Sequence, residues 1–198
     1  MKWIEIMKMI ADNGISIFTV SEFRRVTDLS ETAAQKFVER YAKRGLLTRL
    51  KKGMYMVTDN PSPSLLISNR LYRPSYVSFE SALSYHRIIP ETVYAVTAAT
   101  TKPTRNFDVA GKAFIYHKIK TNAYTGYAPT RIGNEVILLA TPEKALVDYL
   151  YLVNLGKKPL YERLEFRELS KEKIVANTIL FRRPSFYKWV QNDIIRDN

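Results

Sequence analysis

The chain has 198 residues, 46% of them hydrophobic and 25% charged, with a net charge of +12 and no cysteine. That is enough apolar content for one large domain or two small ones, each with a real core. The missing cysteines exclude disulfides, thiolate nucleophiles and cysteine zinc sites. No apolar run approaches the ~20 residues that span a bilayer, so no membrane partner is expected. The start, Met1-Lys2-Trp3-Ile4-Glu5, carries an early acid and no small-residue cleavage site, so it reads as no signal peptide and the expected location is the cytoplasm. The positive excess is +4 up to Asn60 and +8 beyond it. A polyanion is the natural partner of such a surface, and acidic protein surfaces stay open as an alternative for the second part.

In chain order, Lys2 to Ala11 reads as a first helix with Trp3, Met7 and Ile10 on one face, ended by Asn13-Gly14. Thr19-Val20-Ser21-Glu22 then fits a capping box, in which the threonine hydroxyl and the glutamate carboxylate satisfy each other's backbone N–H. Phe18 and Phe23 stand where a hydrophobic staple would place them. A second start follows at Ser30, with Glu31 in the positive first turn. Only Val26-Thr27-Asp28-Leu29 separates the two helices, about the turn length that helix-turn-helix motifs use. Gly45 supplies the left-handed residue that ends the second helix.

On that helix, Glu31 to Arg44, the apolar residues Ala34, Phe37, Val38 and Tyr41 recur at helical spacing and predict one buried stripe. Thr32, Lys36, Glu39 and Lys43 point the other way, with Gln35 and Arg40 on the flanks. Leu47 to Lys51 and Met54 to Val57 follow as two short strands joined at Lys52-Gly53, where glycine accepts a positive φ. Arg49, Lys51 and Lys52 are expected to crowd the tip of this hairpin. Helix, turn, longer helix and basic hairpin are the order of a winged helix-turn-helix, whose second helix enters the DNA major groove.

Asp59-Asn60-Pro61-Ser62-Pro63-Ser64 breaks the pattern, and the domain boundary is placed there, giving 1–60 and 61–198. Helices are predicted at Leu65–Tyr72 and Phe79–His86. Strands follow at Val93–Thr100, around Phe107, and at Ala113–Lys120, Ala128–Ile132 and Glu135–Ala140, with a tight turn at Ile132-Gly133-Asn134-Glu135. Thr141-Pro142-Glu143 opens a strong helix to about Asn154, with Ala145, Leu146, Tyr149, Leu150 and Val153 as its apolar face. Tyr161–Leu169, Lys171–Leu180 and Ser185–Ile195 read as three more helices. The expected class is therefore α+β: an N-terminal winged helix-turn-helix, then a mixed, mainly antiparallel α/β domain with C-terminal helices.

No catalytic constellation emerges. The two histidines, His86 and His117, sit in no metal-ligand pattern, and no phosphate-binding glycine loop or nucleophile elbow is present. A metal-dependent nuclease in the second domain would need converging carboxylates, for which Asp108, Glu135 and Glu143-Lys144 are the only candidates. Glu143 and Glu80 are better explained as acids in a first helical turn. The expectation is no enzyme, no cofactor and no bound metal. Thirteen tyrosines, nine of them in the second domain from Tyr72 to Tyr151, read mostly as core and interface packing.

Three segments resemble the AbiEi-type antitoxins, the repressor half of a bacterial abortive-infection toxin–antitoxin pair. They are Arg49-Leu50-Lys51-Lys52-Gly53-Met54-Tyr55, the run from Tyr76 to His86 (YVSFESALSYH), and the run from Ala140 to Asp148 (ATPEKALVD). The resemblance reaches to about Val153. It implies a DNA-binding transcriptional regulator that represses its own operon at inverted repeats. It also implies a nucleotidyltransferase-like toxin that is counteracted in the type IV mode without a stable complex. Related proteins of this architecture also occur without a toxin, and the family brings no catalytic residues.

Joined to the pattern of the chain, this makes double-stranded DNA the expected partner and Thr32, Gln35, Lys36, Arg40, Lys43, Arg49, Lys51 and Lys52 its expected contacts. Gln35 is the candidate for adenine and Arg40 for guanine. Monomeric, homodimeric and cooperative binding on DNA stay open, as does a second domain that serves chiefly as a protein-interaction platform.

Overall fold

The structure, a computed structural model, describes residues 2–133 and 135–195. It divides into two compact units. The first runs to Leu71 and includes Val109–Gly111, and the second takes Tyr72–Asp108 and the chain from Lys112 onward.

The first unit begins with α1 (Trp3–Asp12), β1 (Ile17–Thr19), α2 (Val20–Thr27) and α3 (Glu31–Lys43). It continues with β2 (Leu47–Lys51), β3 (Met54–Val57) and α4 (Ser64–Leu71). Its three strands lie in the order β1-β3-β2, all antiparallel, with Phe18 opposite Tyr55 and Arg49 opposite Tyr55 on the other side. The predicted stripe of α3 is the buried one: Ala34, Phe37, Val38 and Tyr41. These join Ile6, Ile10, Phe18, Phe23, Leu47 and Tyr55 in a core that carries no charge. Aromatic rings run through it, with Phe18 5.5 Å from Phe23, Phe23 5.3 Å from Phe37, Phe37 4.3 Å from Tyr41 and Trp3 4.5 Å from Tyr41.

Two expectations change here. The first helix of the motif runs through Val26 and Thr27, because the Thr27 hydroxyl donates back to the Phe23 carbonyl at 2.9 Å and Asp28 takes the left-handed turn at φ 52°. The connection is thus Asp28-Leu29-Ser30. The proline-rich break at 59–64 lies inside the first unit, not at its end. Beyond it, α4 is tied back by Arg70 to Glu22 and by Lys51 to the Leu71 carbonyl, so the units divide after Leu71.

The second unit opens with β4 (Ser75–Val77) and α5 (Phe79–Tyr85), then β5 (Val96–Thr100), β6 (Arg105–Val109) and β7 (Lys112–Lys118). A 3-10 turn at Thr121–Ala123 precedes β8 (Tyr127–Ile132), β9 (Glu135–Ala140) and α6 (Pro142–Asn154). Asn134, in the expected turn between β8 and β9, lies outside the described residues. The sheet order is β6-β7-β5-β4-β9-β8. β4–β5 and β8–β9 pair antiparallel, while β4–β9 and β5–β7 pair parallel, so the sheet is mixed. β4 is only three residues long, all buried, and occupies the middle of the sheet with Tyr76 opposite Ala99 and Val77 opposite Leu139.

α6 starts as its sequence dictates, with the Thr141 hydroxyl accepting from the Lys144 N–H at 3.3 Å and proline in the first turn. It is buried all round from Glu143 to Leu152 rather than along one face.

The expected helix over Tyr161–Leu169 is absent. Its backbone donors are taken elsewhere: the Tyr161 N–H goes to the Tyr149 hydroxyl at 3.1 Å and the Glu165 N–H to the Ile88 carbonyl at 2.8 Å. α7 (Lys171–Ile179) and α8 (Pro184–Trp189) follow, and α8 widens into a π-turn over Val190–Ile194.

Candidate nucleic-acid interface

The capping box that opens α2 is complete. The Thr19 hydroxyl oxygen accepts from the Glu22 N–H at 3.1 Å, and Glu22 Oε2 accepts from the Thr19 N–H at 2.7 Å and from its hydroxyl at 3.0 Å. Arg70 reaches the same carboxylate, Nη2 lying 2.7 Å from both oxygens, and also donates to the Ile17 carbonyl at 3.1 Å. Burial works against the charge on Glu22, but the Thr19 N–H and Arg70 outweigh it and hold the carboxyl below its usual range. Sequence reasoning assigned the box to α2 alone. It is in fact shared with α4, which no local pattern announces.

On α3, Thr32, Lys36, Glu39, Arg40 and Lys43 are exposed and Gln35 is half-buried. The Ser30 hydroxyl caps the helix by accepting from the Ala33 N–H at 3.3 Å. Gln35 does not stand free, because its Nε2 donates to Glu39 Oε1 at 2.5 Å. The Arg40 guanidinium leans back over the rings of Phe37 and Tyr41, at 5.6 and 5.0 Å from their centroids. That holds Arg40 at the flank of the exposed face, where its place in the helical repeat puts it, with its guanidinium drawn back over the rings.

In the hairpin, Gly53 takes φ +74° and its carbonyl accepts from the Val20 N–H at 3.1 Å, fixing the wing against the start of α2. Arg49 and Lys52 are exposed. Lys51 is not at the tip: its ammonium donates to the Leu71 carbonyl at 2.5 Å, at the electronegative end of α4. A bulge between Arg49 and Lys51 turns it inward, a twist that strand alternation does not foretell.

In the second unit the nuclease candidates do not converge. Asp108 on β6 and Glu135 on β9 are separated by β7, β5 and β4, and Glu143 lies 3.8 Å from Lys173. Among the described residues no group of three or more His, Asp and Glu side chains is placed to hold a metal.

His86 Nε2 donates to the Ala140 carbonyl at 2.8 Å. His117 packs edge-on to Phe79, and burial, with Lys158 nearby, pushes its imidazole down to about 4. Glu80 is the first-turn acid of α5, as expected, and is also buried and paired with Lys158.

The unit's charged interior is a quartet that no motif search finds. Lys144 Nζ donates to Asp148 Oδ1 at 2.5 Å, both side chains being 0% exposed. Tyr76 and Ser78 donate to Asp148 Oδ2 at 2.8 and 2.7 Å. Burial and the neighbouring carboxylate raise the Tyr76 phenol well above its ordinary value, so it stays a donor. The one hint in the sequence is an i, i+4 Lys–Asp pair inside an otherwise apolar helix.

The element order α1-β1-α2-α3-β2-β3, with β3 between β1 and β2 and a basic hairpin beside an exposed polar helix face, defines the first unit as a winged helix-turn-helix. Residues 5–58 match the model of a family described as a transcriptional regulator, AbiEi antitoxin. The match begins within α1 and ends after β3, so it is the winged helix that is similar to this family. No curated protein matches the chain. Among the described residues no helix is long and apolar enough to cross a membrane.

Proposed function

We propose that the protein is a cytoplasmic transcriptional regulator that reads duplex DNA with α3 and grips the backbone with its wing. The observation that carries this is the family match over a winged helix whose exposed helix face and wing both bear free cations. In this reading Thr32, Gln35, Lys36 and Lys43 face the major groove. Arg40, resting on its aromatic rings, reaches a phosphate from the flank. Arg49 and Lys52 hold phosphates at the wing, and Lys51 braces α4 instead. The regulator would bind inverted repeats in its own promoter, as a homodimer or cooperatively, and repress its operon. It would also act as the antitoxin of a nucleotidyltransferase-like toxin without forming a stable complex with it.

Anisotropy and footprinting on the chain's own promoter test the first part. Protection of paired half-sites, lost in Lys36→Ala/Lys52→Ala, is expected, and promoter binding no tighter than binding to an unrelated duplex would overturn it. Co-expression with the product of the neighbouring gene tests the second. Relief of growth arrest supports the antitoxin role, and arrest unchanged by the regulator removes it.

A further inference from the structure

The reading face of α3 contains one acid, Glu39. At about 100° per residue, Glu39 falls on the same side as Thr32, Lys36 and Lys43, away from the buried stripe and on the edge nearest Gln35. Lys36 and Lys43 are spaced three and four residues away, where helix neighbours ordinarily pair. Yet among the described residues Glu39 forms no ion pair with either. Its Oε1 accepts from Gln35 Nε2, and its Oε2 is left at the exposed surface.

A carboxylate here opposes phosphate approach and so weakens binding to every sequence alike. Against that cost stands what an acceptor-only group does in a major groove: it matches an exocyclic amino donor, cytosine N4 or adenine N6, and finds no partner on guanine or thymine. The Gln35 bond fixes the carboxylate's rotamer before DNA arrives, and it leaves the Gln35 carbonyl oxygen as a second oriented acceptor one turn earlier on the helix.

Resting on the reading that α3 enters the major groove, we infer that Glu39 is a specificity-determining residue, held by Gln35, that selects a base carrying an exocyclic amino group. The two residues act as one reading unit. Glu39 supplies discrimination at the expense of overall affinity, and Lys36 and Lys43 supply affinity without discrimination.

Selection of bound duplexes from a randomised library, with the full chain, tests this. The wild type should enrich cytosine or adenine at one position per half-site. Glu39→Gln, which keeps the size and helical preference, should lose about tenfold of the discrimination at that position and leave the rest of the motif intact. It should also bind a duplex lacking the motif more tightly at low salt. Gln35→Ala should blur the same position.

An unchanged motif in Glu39→Gln, or guanine or thymine at the affected position, overturns the inference and leaves DNA reading by the winged helix standing. Duplex binding with no motif in the wild type overturns it too. A wild type that binds no duplex at all removes the proposed function itself, and this inference with it.

Discussion

In the winged helix, every cation assigned to DNA sits outside a core of stacked Phe, Tyr and Trp rings that holds no charge. The second unit does the reverse, burying Lys144 and Asp148 completely beneath its sheet and closing their hydrogen bonds with Tyr76 and Ser78. In the first unit these DNA-facing cations are placed where solvent screens them and a polyanion can reach them. Charge in the second is taken out of water, where its attraction strengthens but its desolvation must be offset by complete pairing. The first arrangement tolerates loss of any one cation with little change in folding. The second does not.

The largest expected effect follows from that contrast. Asp148→Ala leaves the Lys144 ammonium buried without a counter-charge, which typically costs about 3–5 kcal/mol. The Tyr76 and Ser78 hydroxyls lose their acceptor as well. An apolar replacement of the ion pair alone, Lys144→Met/Asp148→Leu, would still strand those two donors. The chain has two tryptophans, Trp3 in the first unit and Trp189 in the second. Urea unfolding of fluorotryptophan-labelled protein therefore reads each unit separately by fluorine NMR. The Trp189 resonance should move to much lower urea in Asp148→Ala and the Trp3 resonance should stay.

Acid should separate the units in the same experiment. His117 titrates at about 4 in the fold against 6.5 ordinarily, because burial disfavours the imidazolium. The unfolded chain therefore takes up a proton first, and the second unit loses stability as pH falls from about 6.5 toward about 4. In the first unit Glu22 is held below 4.5, so its contribution is intact above that value and declines only below it. The Trp189 transition should shift at pH 5 while the Trp3 transition holds, and His117→Gln should flatten the difference.

A smaller effect is expected at the helix start: Thr19→Ala removes the cap of α2 and should cost about 1 kcal/mol, read at the Trp3 resonance. Smallest for folding is Lys52→Ala, which should change stability by under about 0.5 kcal/mol. Its effect belongs to binding, where the slope of log affinity against log salt should fall by about one unit on any duplex.

The same contrast explains what could be read from the residues. α3, β2, β3, β9 and α6 fall where caps, stripes and turns put them, since each signal is local: Ser30, Gly45, Gly53, Thr141-Pro142. The three-residue strands β1 and β4 went unpredicted. Ile17–Thr19 merges into a helix cap, and Ser75–Val77, buried on both faces, shows no alternation.

The stretch from Tyr161 to Leu169 carries helical composition, but its N–H groups find acceptors on Tyr149 and Ile88, distant in sequence. For the candidate interface, the exposed face of α3 was readable from periodicity. The inward turn of Lys51, the posture of Arg40 over its rings and the Gln35–Glu39 bond were not, because each depends on what side chains meet after folding.

The pairing of Val77 with Leu139 also sets an order of events during synthesis. All the helices and strands of the winged helix, and every residue of its apolar core, lie in the first 71 residues, with only Val109–Gly111 joining the unit from further along the chain. The second sheet cannot gain its central parallel pair until β9 has left the ribosome. The winged helix is therefore positioned to fold first on the nascent chain, while the quartet around Asp148 closes only after α6 emerges.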